Sequence, residues 1–270
     1  MPSIPYATVT RVYLSSSLPD DFAHLLPVLR TRCAALSITL DFKQVQRLHA
    51  YLELLLQQRG RINLTGIRDP AQAERLLLLE SIATVLAAPR LRAAPGDNTG
   101  LRLLDVGTGG GIPGIPLAIA FPHVAVTLLE ATRKKVDFLQ HVVASFALEN
   151  VTALWGRAED LAHVAEHRAH YDVVTVRGVG SLATVAELAL PFCKRGVMLV
   201  AYKSLPLDTE LQEASHAIHA LGGRNPRVTP FNLPELPAQH CLVTVEKSTV
   251  TPEQYPRRAG LPARRPLAKR

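Results

Sequence analysis

Cysteine is scarce in this chain of 270 residues, and aromatic side chains make up only 5% of it. The three cysteines, Cys33, Cys193 and Cys241, are odd in number and far apart. That excludes a disulfide framework or a Cys-x-x-Cys metal site and leaves them as small buried apolar residues. The single tryptophan means that stacked aromatic platforms are not a theme of the sequence. No apolar run reaches the roughly 18 residues that span a bilayer. The opening MPSIPYATVTRVYLSSS lacks a charged segment followed by an apolar core, so no membrane association and a cytoplasmic location are expected. Acidic residues are in deficit, 23 against 30 Lys and Arg, and the imbalance is local: residues 251–270 hold six Lys and Arg against a single acid, Glu253.

That terminal stretch, from Tyr255-Pro256-Arg257-Arg258 through Arg264-Arg265 to Lys269-Arg270, is rich in proline and poor in apolar residues. It reads as a solvated, flexible end, or as an arm for phosphates, because five of its six basic residues are arginines and guanidinium forks match phosphate oxygens. Residues 1–18 carry no periodic signal and read as an extension without fixed structure. Across 19–88 apolar residues recur at helical spacing, as in Phe42, Val45, Leu48, Leu52, Leu55 and again Leu76, Leu79, Ile82, Ala83, Leu86, giving a helical lobe. Asp69 caps a helix that starts at Pro70. Residues 89–100 read as a linker.

From Leu101 to about residue 250, strands alternate with helices, which predicts an α/β fold with a parallel sheet covered on both faces. The expected strands are 101–106, 124–130, 151–155, 172–177, 197–202, 227–231 and 241–246. The last gap, 232–239, is too short for a crossover helix, so the final two strands form an antiparallel hairpin at the sheet edge. Seven strands ending in a reversed one suit a Rossmann-like methyltransferase sheet, by fold analogy alone.

The segment Leu103-Leu104-Asp105-Val106-Gly107-Thr108-Gly109-Gly110-Gly111-Ile112-Pro113-Gly114 joins the first strand to its helix through nearly bare backbone. Such a turn lets a nucleotide-like cofactor approach the main chain, unless it is simply a tight turn without a ligand. Glu130, ending the second strand about 20 residues on, suits ribose hydroxyls. Nicotinamide dinucleotides and S-adenosyl-L-methionine both fit. Asp105 favours the latter, since an acid there suits an amino-acid tail and repels a pyrophosphate. The turn Gly156-Arg157-Ala158-Glu159-Asp160 is placed to meet an adenine, although a carboxylate capping the next helix is an equal explanation. Arg177 and Lys203 end the fourth and fifth strands. His163-Val164-Ala165-Glu166-His167 matches a zinc pattern, but in a polar connection without a third ligand it reads as a surface helix. Arg133-Lys134-Lys135 is either an exposed helix face or an RNA contact.

Taken together, DVGTGGGIPGIPLAIAFP, TLLEATRKKVDFLQ, GRAEDLA, YDVVTVRGVGSL, YPRRAGLPARRPL and the upstream NLTGIRDP resemble the ribosomal RNA small subunit methyltransferase G family, also called glucose-inhibited division protein B. The resemblance runs from about Asp41 to Leu267. It implies a methyltransferase fold with a helical N-terminal lobe and methyl transfer from S-adenosyl-L-methionine to N7 of a guanosine in small-subunit (16S) ribosomal RNA, free or in an assembling subunit. Carried over by position, cofactor contacts fall on Gly107, Ile112, Glu130, Ala131, Thr132, Ala158, Glu159 and Arg177, beside Asp105 and Gly109 from the turn itself. Many members have His and Asp where this chain has Leu77 and Glu80; Ser81 is kept.

Guanine N7 has an in-plane lone pair and no proton, so the reaction needs no general base and positioning suffices. Arg177 and Lys203 are the candidates to hold the base or its phosphate, and Arg257, Arg258, Arg264 and Arg265 those to bind RNA, with removal of the tail expected to leave cofactor affinity intact. A nicotinamide oxidoreductase using the same glycines and a noncatalytic RNA-binding module are the competing readings. A monomer is the simplest assembly.

Overall fold

The structure, a computed structural model, describes residues 25–92, 100–231, 233 and 236–267. The expectations for residues 1–18, most of the linker, Lys269 and Arg270 lie outside these. Helix α1 (Leu25–Ala35) packs on α2 (Phe42–Gln58). The latter starts at a reciprocal cap in which Asp41 accepts from the Gln44 amide and the Gln44 side chain accepts from the Asp41 amide, satisfying two otherwise orphaned donors. Val45, Leu48, Leu52 and Leu55 form its buried stripe, whereas Phe42 is 61% exposed and takes no part in the core expected of it. As its first helical residue, it lies ahead of the stripe. Asp69 accepts from the Gln72 amide at 2.6 Å and starts α3 (Pro70–Ala73). A π-helical stretch, Glu74–Leu79, leads on to α4 (Glu80–Ile82) and a 3₁₀ turn, Ala83–Leu86. Buried Glu74 meets Arg32 at 2.6 Å and His49 at 3.0 Å, tying α1, α2 and this stretch together.

The chain then alternates: β1 (Arg102–Val106), α5 (Gly114–Ala120), β2 (Ala125–Glu130), α6 (Arg133–Ser145), β3 (Val151–Trp155), α7 (Ala158–Leu161), β4 (Tyr171–Arg177), α8 (Leu182–Ala189), β5 (Cys193–Ser204), α9 (Asp208–Ala220), β6 (Gly223–Pro230) and β7 (His240–Lys247). All seven expected strands are present in one sheet, ordered β3-β2-β1-β4-β5-β7-β6. β1 to β5 are parallel, and β7 runs antiparallel to both β5 and β6. This is a Rossmann-like methyltransferase sheet with a reversed strand. The hairpin lies at the edge as expected, with β7 inserted beside β5. β5 runs beyond its expected span at both ends, where Cys193 pairs with Tyr171 and Ser204 with His240.

Side chains alternate across this sheet. Leu103, Val126, Leu128 and Val173 join the N-terminal helices, α5 and α6 in one core; Leu104, Val106, Leu129 and Val174 join α7, α8 and α9 in the other. The N-terminal helices therefore cover a sheet face directly. The three cysteines are buried and unpaired. Among the described residues no helix is long and apolar enough to cross a membrane.

The C-terminal segment departs from expectation. Residues 251–267 lie against the second face and contain a short helix, α10 (Leu261–Arg264), with Thr251, Pro256 and Pro262 buried. Arg257 meets the fully buried Glu187 carboxylate through its amide, Nε and Nη2 at 2.7–2.8 Å. Arg168 donates to the carbonyls of Thr251, Pro252 and Tyr255, and Thr184 donates to that of Pro262. A solvated arm is thus corrected to a docked strap, because the buried acid on α8 supplies a partner that composition does not reveal. Arg258, Arg264 and Arg265 stay exposed. His163 Nε2 lies 2.8 Å from the Pro256 carbonyl oxygen and His167 Nδ1 lies 3.0 Å from the Tyr171 hydroxyl. The expected surface helix at 163–167 is instead a run of turns tied to the strap.

Candidate functional site

At the carboxyl end of β1 the chain turns at Gly107 and enters α5 at Gly114. The turn is braced from inside. Asp105, fully buried, accepts from the Thr108 hydroxyl at 2.6 Å and the Gly114 amide at 3.0 Å on one oxygen and from the Thr175 hydroxyl at 3.0 Å on the other. Its carboxylate therefore holds the turn together and does not face the cleft, which corrects its expected contact with a cofactor's amino-acid tail. Burial pushes its pKa up from the usual value of roughly 3.9 to about 6, against the pull of its hydrogen bonds. The folded state thus binds more protons than the unfolded chain between those values, and this group's stabilisation is fully present below about pH 4 and lost as pH rises towards 6. Asp105→Asn keeps an oxygen for Thr108 and Gly114 and offers its NH₂ to a reoriented Thr175. In chemical denaturation across pH 4–7 (about the window set by the two pKa values), the variant should lose this downward slope; an unchanged slope would show that Asp105 does not titrate there.

The glycine positions have distinct reasons. A Cβ on Gly111, which has φ +101°, would lie 2.6 Å from Ile115 Cγ1 and 3.1 Å from the Tyr51 hydroxyl. One on Gly109, φ +60°, would meet nothing nearer than its own turn at 4.0 Å, so here the requirement is conformational and the face is open to a ligand. Tyr51 on α2 donates to the Gly110 carbonyl at 2.7 Å, fastening the N-terminal helices to the turn. Five of the turn's amides are turned inward: Gly107 and Thr108 donate to the Leu129 carbonyl, Gly111 and Ile112 to that of Thr108, and Gly109 to Glu130 at 3.0 Å. A pyrophosphate needs such groups unengaged, so this is a poor dinucleotide cradle.

Above the turn lies a cleft of about 360 Å³ lined by Leu64, Thr65, Ile67 and Leu77 from the N-terminal helices' side and by Gly107, Thr108, Gly109, Gly110, Ile112, Lys135, Arg177 and Gly178 from the sheet's side. The structure thus brings Gly107, Gly109, Ile112 and Arg177 to one cavity. Leu64 and Thr65 belong to NLTGIRDP, whose motif resemblance alone marked it. Glu130, nearly buried beside the turn, accepts from Gly109 and, at 2.8 Å, from the Thr132 amide, leaving lone pairs on both oxygens. Ala131 and Thr132 follow it on the surface.

Arg177 projects to the face that carries the N-terminal helices. Its Nη2 donates to Glu80 Oε2 at 3.0 Å, its guanidinium lies 5.2 Å from the centre of the Tyr202 ring, and its Nη1 is buried without a partner. Glu80, itself nearly buried, also has His240 Nδ1 at 3.3 Å from Oε1, and the Tyr202 hydroxyl pairs with Thr84. Glu80, Tyr202 and His240, which surround Arg177, are neighbours that sequence reasoning missed or left without a role; only the departure at Glu80 signalled one of them.

Lys203 does not join this group. Arg177 pairs in register with Tyr202, which puts Lys203 on the opposite face. There its Nζ donates to the Gly180 carbonyl at 2.8 Å and to Glu210 at 2.6 Å, so the expected catalytic lysine is corrected to a tie between the β4–α8 loop and α9. Ala158 begins α7, but Glu159 accepts from the Gly260 amide of the strap at 2.8 Å and lies 3.6 Å from Arg157 Nε. Its carboxylate joins α7 to the strap.

The residues present fit S-adenosyl-L-methionine: Gly109 with its open face and Arg177 with its unpartnered Nη1 line the same cleft, Glu130 stands behind Gly109 with lone pairs free, and the inward amides disfavour a dinucleotide. The model of the family described as rRNA small subunit methyltransferase G matches residues 44–238. Among curated proteins, the ribosomal RNA small subunit methyltransferase G of Dehalococcoides mccartyi is 40% identical over 87% of this chain and 96% of its own length. That of Moorella thermoacetica is 39% identical over 85% and 93%. Among solved structures, the CurJ carbon methyltransferase shares the fold with a TM-score of 0.51 at 12% identity, over 87% of this chain and 72% of that one. This chain belongs to the rRNA small subunit methyltransferase G family and is an S-adenosyl-L-methionine-dependent methyltransferase.

Proposed function

We propose that the chain methylates N7 of a guanosine in small-subunit ribosomal RNA, and that it does so by positioning. The observation that carries the reading is the unpartnered, buried Arg177 Nη1 at the cleft, since a desolvated donor without an acceptor points to a polar group that arrives with a ligand. S-adenosyl-L-methionine, when bound, supplies the methyl electrophile. Gly107 and Gly109 would give it room, Glu130 would accept from its ribose, and Ala131, Thr132 and Ala158 would hold its adenine side. Ile112 closes the apolar side. Arg177, held by Glu80 and Tyr202, donates to guanine O6 or to the adjoining phosphate and leaves N7 free to attack in line. No base is required, because N7 carries no proton.

The exposed Arg258, Arg264 and Arg265 on the strap add phosphate contacts, and Arg257 does not, because Glu187 occupies it. Binding is then strongly salt-dependent, and the enzyme works in the compartment where ribosomal subunits assemble, the cytoplasm. The test is transfer of labelled methyl groups to small-subunit RNA and to assembling subunits, followed by mass mapping. A new methyl group on one guanine, lost in Arg177→Ala, is the expected result. Unlabelled RNA across several salt and assembly conditions would refute the reading.

A further inference from the structure

The chain's single tryptophan lies at the end of the edge strand β3, in register with Glu130. Tryptophan is highly buried on average, yet Trp155 is 56% exposed. It is also held in place: its Nε1 donates to the Ala131 carbonyl at 3.1 Å, and the Arg133 guanidinium lies 5.4 Å from its ring centre. A large indole fixed by its own N–H, exposed and backed by a cation, is a preformed stacking surface that loses little freedom when a flat ring settles on it.

Its surroundings decide which ring. Arg133, Lys134 and Arg157 are exposed around it. Asp137 pairs with Arg133 at 2.9 Å and Glu159 lies 3.6 Å from Arg157 Nε, and Asp160 is exposed one turn beyond Arg157; both pairs have an exposed guanidinium that an arriving phosphate can reach, and Lys134 beside them is exposed. The adenosine part of a sulfonium cofactor has no phosphate and gains nothing from them, whereas a polynucleotide presents a phosphate beside every base. Paired stacking and phosphate neutralisation are what unpaired RNA requires.

We propose that Trp155 stacks on an unpaired RNA base next to the methylated nucleotide, with Arg133, Lys134 and Arg157 holding the neighbouring phosphates. This rests on the RNA methyltransferase reading and extends its substrate surface from the cleft to the rim at β3. Being the only tryptophan, Trp155 reports on itself. Titration of a small-subunit ribosomal RNA transcript into the full-length protein should quench tryptophan emission, with reversal by salt, while S-adenosylhomocysteine alone should leave most of the emission. Trp155→Ala should raise KM for RNA about 10-fold, with kcat and cofactor Kd within about 2-fold of wild type, and Trp155→Phe should restore most of the loss. Because the side chain is exposed, thermal unfolding of both variants should match wild type. RNA that binds without quenching, or a wild-type KM in Trp155→Ala, overturns the proposal. A larger loss of cofactor affinity than of RNA affinity also overturns it, by assigning the indole to the adenine. A wild-type protein that binds and quenches but transfers no methyl group would defeat the methyltransferase reading and leave the stacking surface standing.

Discussion

Arg257→Ala should lower unfolding free energy by roughly 3–5 kcal/mol, the cost of removing one partner of a buried ion pair. For a chain of this size that corresponds to a Tm drop of roughly 6–20 °C, readable by calorimetry. The size follows from what stays behind: Glu187, 0% exposed, would lose two of the three donors that now face it, and the remaining backbone amide sits on a strap no longer anchored. Replacing both partners with apolar residues, Glu187→Met with Arg257→Met, should recover most of the loss, because the penalty is the unpaired charge and not the missing attraction. If the single variant melts within about 2 °C of wild type, the strap is not held by this pair. The same geometry revises the expected effect of removing residues 251–270. The cut would also strip Glu159 of the Gly260 amide, so cofactor affinity and stability should fall together with RNA affinity.

Arg177→Ala should reduce kcat/KM by about 100-fold, the usual consequence of deleting one preorganised donor aimed at a reacting group. Arg177→Lys should not restore it. An ammonium cannot bond Glu80, lie flat over Tyr202 and present a further N–H in a fixed direction, as the guanidinium does. Glu80→Gln keeps a hydrogen-bond acceptor and loses the charge, so a loss of about 10-fold is expected. Because Glu80 is nearly buried, Arg177→Ala also leaves a charge under-compensated. Single-turnover rates should therefore be taken at a temperature where circular dichroism shows the variant folded. A folded Arg177→Ala enzyme with wild-type single-turnover rates would remove this residue from the site.

Much of the fold is legible in the sequence because its signals are local. Alternation of apolar strands with helical spacing, the run of glycines after Val106 and the acid at Glu130 each report backbone conformation within a few residues. The short gap between β6 and β7 dictates antiparallel pairing for the same reason. The site is less legible because its key pairs are far apart in the chain. Arg177 and Glu80 are separated by 97 residues and Arg257 and Glu187 by 70, and no periodicity announces either pairing. Asp105 and Lys203 were placed by their positions at strand ends, yet position does not say which way a side chain points. The alternation along β5 turns Lys203 away from the cleft, and the helix entry at Gly114 draws Asp105 inside. Composition misread the C-terminal strap for a related reason: proline and arginine look solvated until a buried acid elsewhere supplies the partner.

The inward bonding of the Gly107, Thr108, Gly109, Gly111 and Ile112 amides has a kinetic consequence. A loop that needs its guest to complete its hydrogen bonds is mobile when empty and must fold around that guest at each turnover. Here the loop completes itself through Leu129, Thr108 and Glu130, so its contour is the same on arrival and on departure. Exchange of spent for fresh donor then requires no refolding of this segment.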